Sequence, residues 1–100
     1  MNTTIKEMNG ELVAHMEGRL DTAAAAQTEK DLQPLNDCEG KNIVLDCNAL
    51  EYISSSGLRL FLGVLKAAKA KGSRVFITGM NNDIRNVFAM TGFTNLFEFR

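Results

Sequence analysis

The sequence is short of the residues from which most active sites are built. It has one histidine, His15, so neither a histidine-based metal site nor a Ser-His-Asp triad has much to be assembled from. Its two cysteines, Cys38 and Cys47, fit neither a CxxC pair nor a zinc-finger spacing, and they read as small buried thiols. An excess of charge of one sign is missing too. Eleven Lys and Arg are interspersed with twelve Asp and Glu, for a formal net charge of -1, which leaves no electrostatic footprint for nucleic acid and no basic run for a membrane surface. No apolar run approaches the ~18 residues of a membrane span. The opening MNTTIKEMNG lacks the charged-then-apolar order of a secretory leader, so the expectation is a cytoplasmic protein. Neither G-x-G-x-x-G nor G-x-x-x-x-G-K-[ST] occurs, and no cofactor is expected.

What is present is organised around Ile43 to Leu65, IVLDCNALEYISSSGLRLFLGVL. Ile43-Val44-Leu45 is a continuous apolar run and reads as a strand buried on both faces. Leu58, Phe61, Leu62 and Leu65 are spaced i, i+3, i+4 and i+7, the apolar stripe of a helix. Between them stands Ser54-Ser55-Ser56-Gly57. A serine cluster ahead of an apolar helix supplies N-cap chemistry, because a hydroxyl can accept from the unpaired amides of the first turn. One serine is therefore a cap, and its neighbours are presented at the positive end of the helix dipole.

The rest of the chain supports one domain of 100 residues, 45% hydrophobic and 23% charged. Residues 3–8 and 11–18 read as strands joined at Asn9-Gly10, a pair suited to the positive φ of a hairpin turn. Asp21 or Thr22 precedes an alanine run and should cap a helix reaching about Leu32, ahead of Pro34. Asn36 to Gly40 reads as a polar connection. The helix after the serines should run from about Ser56 to Lys71 and stop at Gly72. Arg74–Ile77 is another apolar strand, expected beside Ile43–Leu45. Asn81, Asn82 or Asp83 caps a third helix carrying Ile84, Val87 and Phe88, closed by Gly92. Leu96–Phe99 is a short last strand or a plug over the sheet. The fold class is α/β, a mixed sheet of four to five strands with helices packed on it, in the order ββαβαβα with an optional final β.

Ser-Ser-Ser-Gly at a strand-to-helix turn shares its position with the nucleophile elbow of hydrolases, but the G-x-S-x-G glycines are missing. His15, the one candidate base, lies on an early strand away from the serines, and a surface or half-buried role suits it. Asp21, Asp46 and Glu51 are explained by capping and turns. The sequence therefore points away from an enzyme.

The stretch NIVLDCNALEYISSSGLRLFLGVLKAAKAKG resembles the signature of the STAS domain family, in particular the bacterial anti-sigma factor antagonists. The matching residues are Asp46, Tyr52, Ile53, Ser54, Ser55, Ser56, Gly57 and Leu58. Gly18-Arg19-Leu20-Asp21 matches the family's G-x-L/I-D element. Arg74 to Gly79 and Met90-Thr91-Gly92-Phe93 match its fourth strand and third helix. The resemblance implies a module that binds an anti-sigma factor of serine-kinase fold and frees a sigma factor. It also implies that the kinase phosphorylates Ser55 to end binding and that a phosphoserine phosphatase resets the switch. Ser54 departs from the family's frequent Asp, which leaves Ser54 and Ser56 as alternative acceptors. The partner-binding residues it implies are Asp21, Thr22, Ser54, Ser56, Gly57 and Arg59, in a monomer or weak dimer. The rival expectation is a STAS interaction module without phosphorylation, such as an accessory subunit of a lipid ABC transporter or a signalling scaffold, in which Ser55 only caps its helix.

Overall fold

In the computed structural model, which describes residues 1–100, the chain begins with a hairpin of β1 (Asn2–Met8) and β2 (Glu11–Leu20). Asn9 and Gly10 both take positive φ, 53° and 77°, the backbone that a two-residue turn between twisted strands demands. Every later strand is reached through a helix. The segments are α1 (Thr22–Asp31), β3 (Ile43–Ile53), α2 (Ser55–Ala70), β4 (Val75–Thr78), α3 (Asn82–Thr91) and β5 (Glu98–Phe99). A 3-10 turn, Gln33–Asp37, occupies part of the expected polar connection after α1 and buries Leu35.

The sheet order is β1-β2-β3-β4-β5, with β1 antiparallel to β2 and all other neighbours parallel. Parallel neighbours joined by crossovers of one hand, marching in one direction across a sheet, place all their helices on one face. Burial follows that geometry. Ala14, Met16, Ile43, Leu45, Cys47, Val75 and Ile77 point into a core completed by Leu58, Phe61, Val64, Leu65, Ala68, Ile84 and Phe88. Phe88 is fully buried and packs edge-on or tilted against Phe61, Phe93, Phe97 and Phe99. The aromatic tail is thus both a last strand and a plug.

The opposite sheet face carries no helix and closes with its own side chains. The guanidinium groups of Arg74 and Arg100 lie 5.1 and 3.9 Å from the Phe76 ring centre. Arg100 is also paired with Glu11 at 2.7 Å, and Arg74 with Glu98. His15 sits here, its Nδ1 2.7 Å from Asp46 on β3.

Two expectations need correction. The central strand does not end with the apolar run Ile43-Val44-Leu45 but goes on to Ile53, eleven residues in all. Register shifts between His15 and Glu17, and again between Gly18 and Arg19, let β3 carry extra residues against β2 and destroy the two-residue alternation. The α2 stripe is also rotated from the one read in the sequence. Gly57, Leu58, Phe61, Val64, Leu65 and Ala68 are buried, and Leu62 lies half-buried at the margin.

Candidate functional site

Three helices start at the same end of the sheet, because each follows the C-terminal end of a parallel strand. Each start is capped by a side chain. Asp21 Oδ1 accepts from the Ala24 amide at 2.8 Å, Ser54 Oγ from Gly57 at 3.2 Å, and Asn81 Oδ1 from Ile84 at 2.8 Å. The Ser54 amide donates to the Leu20 carbonyl at 2.9 Å, which ties the start of α2 to the residue before Asp21. Asn81 Nδ2 donates to the Leu50 and Glu51 carbonyls at 3.4 and 3.2 Å, which ties α3 to β3. Asn81 stood in the sequence only as one of three possible caps. Its bonds to β3 cross 30 residues of chain and have no local signal.

This end of the molecule divides the work among the three serines. Ser54 is the N-cap, so its hydroxyl is committed to the backbone. Ser55 is the first helical residue; its side chain is exposed and makes no hydrogen bond to the rest of the chain. Ser56 is half-buried toward α1, where it lines a shallow depression with Thr22, Ala25, Glu29, Arg59 and Leu60. The start of α2 thus lies one residue earlier than the expected Ser56, at Ser55.

Of the residues expected to meet a partner, Thr22 and Arg59 are exposed and share that depression with Ser56. Asp21 stands half-buried on the adjacent strand end. Gly57 is the exception. It is buried, and a Cβ there would lie 2.7 Å from Leu20 Cγ and 2.8 Å from Ile53 Cγ1. Its place is therefore in the packing beneath the site, where the missing side chain lets α2 seat against the ends of β2 and β3. One position back along the two strands, the Arg19 guanidinium stacks 4.5 Å from the ring centre of Tyr52, which is 40% exposed.

Asp46 and His15 lie away from this surface. Burial pushes the Asp46 carboxyl up, but hydrogen bonds from the Asn48 amide and side chain, and from His15, outweigh it and hold the group below the usual carboxylate range. Asp46 therefore folds back on the β3 bulge. His15 is five residues upstream of Leu20, so it cannot serve a hydroxyl at the serine step.

The STAS domain family model matches residues 2–100. BtrV of Bordetella bronchiseptica, provisionally named an anti-sigma factor antagonist, is 33% identical over 97 residues, covering 97% of this chain and 84% of BtrV. The anti-sigma-B factor antagonist of Staphylococcus aureus is 30% identical over 81 residues, covering 81% of this chain and 75% of that protein. Bacillus SpoIIAA in its phosphorylated form shares the fold with a TM-score of 0.73 at 20% identity, over 99% of this chain and 91% of its own. No helix here is long and apolar enough to cross a membrane. The chain therefore belongs to the STAS domain family, and within it to the anti-sigma factor antagonist type.

Proposed function

We propose that this protein is the antagonist arm of a partner switch, acting by binding rather than by catalysis. Unmodified, it docks an anti-sigma factor of serine-kinase fold through the surface around Asp21, Thr22, Ser54, Ser55, Ser56 and Arg59, and a sigma factor is released. The kinase then ends the complex. Ser55 Oγ attacks the γ-phosphorus of a nucleoside triphosphate held by the kinase, forming the Oγ–P bond. The bond from that phosphorus to the β–γ bridging oxygen breaks, the nucleoside diphosphate leaves, and the hydroxyl proton passes to a base of the kinase. A phosphoserine phosphatase restores the hydroxyl with water and releases inorganic phosphate.

The observation that carries this reading is the division of labour between Ser54 and Ser55. Because Ser54 holds the cap, Ser55 is exposed, unpaired and fixed in place by a helix it does not itself support. A phosphate there adds about -1.5 to -2 charges to a nearly neutral docking surface while the cap and core stay in place. Binding is lost and the fold is kept.

The test is phosphosite mapping by mass spectrometry after expression in the protein's own host. One phosphate on Ser55, absent from Ser55→Ala, is expected. A phosphate on Ser54 or Ser56 instead would overturn the assignment to Ser55, and a chain unmodified under every growth condition would overturn the switch and favour the passive interaction module.

A further inference from the structure

The chain has one uncommitted cation a single helical turn from Ser55. Arg59 is exposed and takes part in none of the ion pairs or side-chain hydrogen bonds of the fold. The other arginines near this end are engaged: Arg19 lies over the Tyr52 ring, and Arg85 donates to the Met80 carbonyl at 3.2 Å. Glu29 lines the same depression as Arg59, yet the two form no ion pair. Position matters as much as availability. Residues four apart on a helix are surface neighbours, and a long helical side chain leans back over the turn N-terminal to it. Position 59 is therefore one from which a long cationic side chain can reach back to position 55. The order is also the favoured one, with the anion on the N-terminal side of the cation.

From this placement we propose that Arg59 is the internal receiver of a phosphate on Ser55. The planar guanidinium pairs with two phosphate oxygens, as its fork of donors suits it to do. The inference rests on Ser55 as the acceptor and adds a second half to the switch. Modification brings an anion to the docking surface and at the same time withdraws a cation from it, so a partner carboxylate that used Arg59 loses its counter-ion. The pair also fastens the phosphate along α2.

The experiment bypasses the kinase. Phosphoserine is inserted at position 55 during translation by a recoded codon, and its second ionisation is followed by phosphorus NMR in the wild-type background and in Arg59→Gln and Arg59→Lys. A cation beside the phosphate favours the dianion. The expected midpoint is lower in wild type than in Arg59→Gln by about 0.3, the worth of an i, i+4 ion pair. Arg59→Lys keeps the charge without the fork and should retain only part of that difference, and ~1 M salt should erase it. Glu29, which lines the same depression as Arg59, and Asp21, which caps the neighbouring helix, are common to all three chains and cancel in the comparison. Equal midpoints in wild type and Arg59→Gln, or a difference that salt leaves untouched, would overturn the pairing. Arg59 is exposed, so neither variant threatens the fold, and circular dichroism verifies that. Because the phosphate is installed rather than acquired, a negative result here leaves the Ser55 reading standing. Conversely, a host-made phosphate on another residue defeats that reading without touching this measurement.

Discussion

Gly57→Ala sets two well-measured effects against each other, and the structure decides the sign. In an exposed helix interior, replacing glycine by alanine stabilises by roughly 1 kcal/mol, because alanine loses less backbone entropy. Gly57 has an ordinary helical φ, so no backbone strain opposes the change. Space does. The added methyl would meet Leu20 Cγ at 2.7 Å, Ile53 Cγ1 at 2.8 Å and Leu20 Cδ2 at 3.0 Å. Two of those atoms are close to their backbones rather than at flexible tips. Leu20 is fully buried and Ile53 is 3% exposed, so neither can swing into solvent. Overpacking of this kind costs about 1–3 kcal/mol. Set against the entropy gained, the clash leaves a net loss of up to about 2 kcal/mol. For a domain of this length that lowers Tm by about 4–8 °C for each kcal/mol. Urea unfolding followed by circular dichroism measures it. A variant more stable than wild type by the roughly 1 kcal/mol of an unopposed alanine would refute the close seating of α2 on β2 and β3. The same displacement should move the Ser54–Ser55 step, so partner binding is expected to weaken along with stability.

The serine division of labour predicts that Ser54→Ala costs about 1 kcal/mol in urea unfolding, the usual worth of an N-cap. Ser55→Ala should stay within about 0.5 kcal/mol of wild type, and equal losses would mean that both hydroxyls support the helix. Ser55→Asp should keep the wild-type melting behaviour while losing the partner in a pull-down from host extract. The Asp46 carboxyl is held below its ordinary range, so its contribution to stability is fully present above about pH 4 and disappears as pH falls through the depressed folded value. Acid titration of the urea midpoint should show this loss in wild type and not in Asp46→Asn. Burial pushes the Cys47 thiol up to about 12, so iodoacetamide at about pH 8 should leave it unlabelled in the native protein and label it in denaturant, as peptide mass mapping can show.

The site was legible where its signals were local. The serine run before an apolar stripe marks a helix start, and Asp21 before four alanines marks another; both are caps in the structure. Which serine caps was not legible. Three hydroxyls in succession offer the same chemistry, and the choice depends on where β3 ends. That point is set by the pairing of Leu20 with Ile53, thirty-three positions away. The length of β3 was hidden for the same reason. The apolar run ends at Leu45, whereas the strand bulges past Asp46 and goes on to Ile53. Leu62 fitted the helical spacing, but the half of the apolar arc that faces the sheet is centred on Phe61 and leaves Leu62 at the edge.

By itself the sequence determined the element order up to the third helix, the helix starts and stops to within about two residues, the Asn9-Gly10 turn, and a nearly neutral chain poor in catalytic groups. Those properties follow from spacing, caps and composition, which act over a few residues. Only the tertiary structure decided that the starts of α1, α2 and α3 gather at one end of the sheet. It also decided that Gly57 is packing rather than surface, that His15 pairs with Asp46 far from the serines, and that Ser55 and Arg59 stand free. These depend on strand register and on the hand of the crossovers. Both bring distant parts of the chain into contact through side chains whose meeting no local pattern encodes.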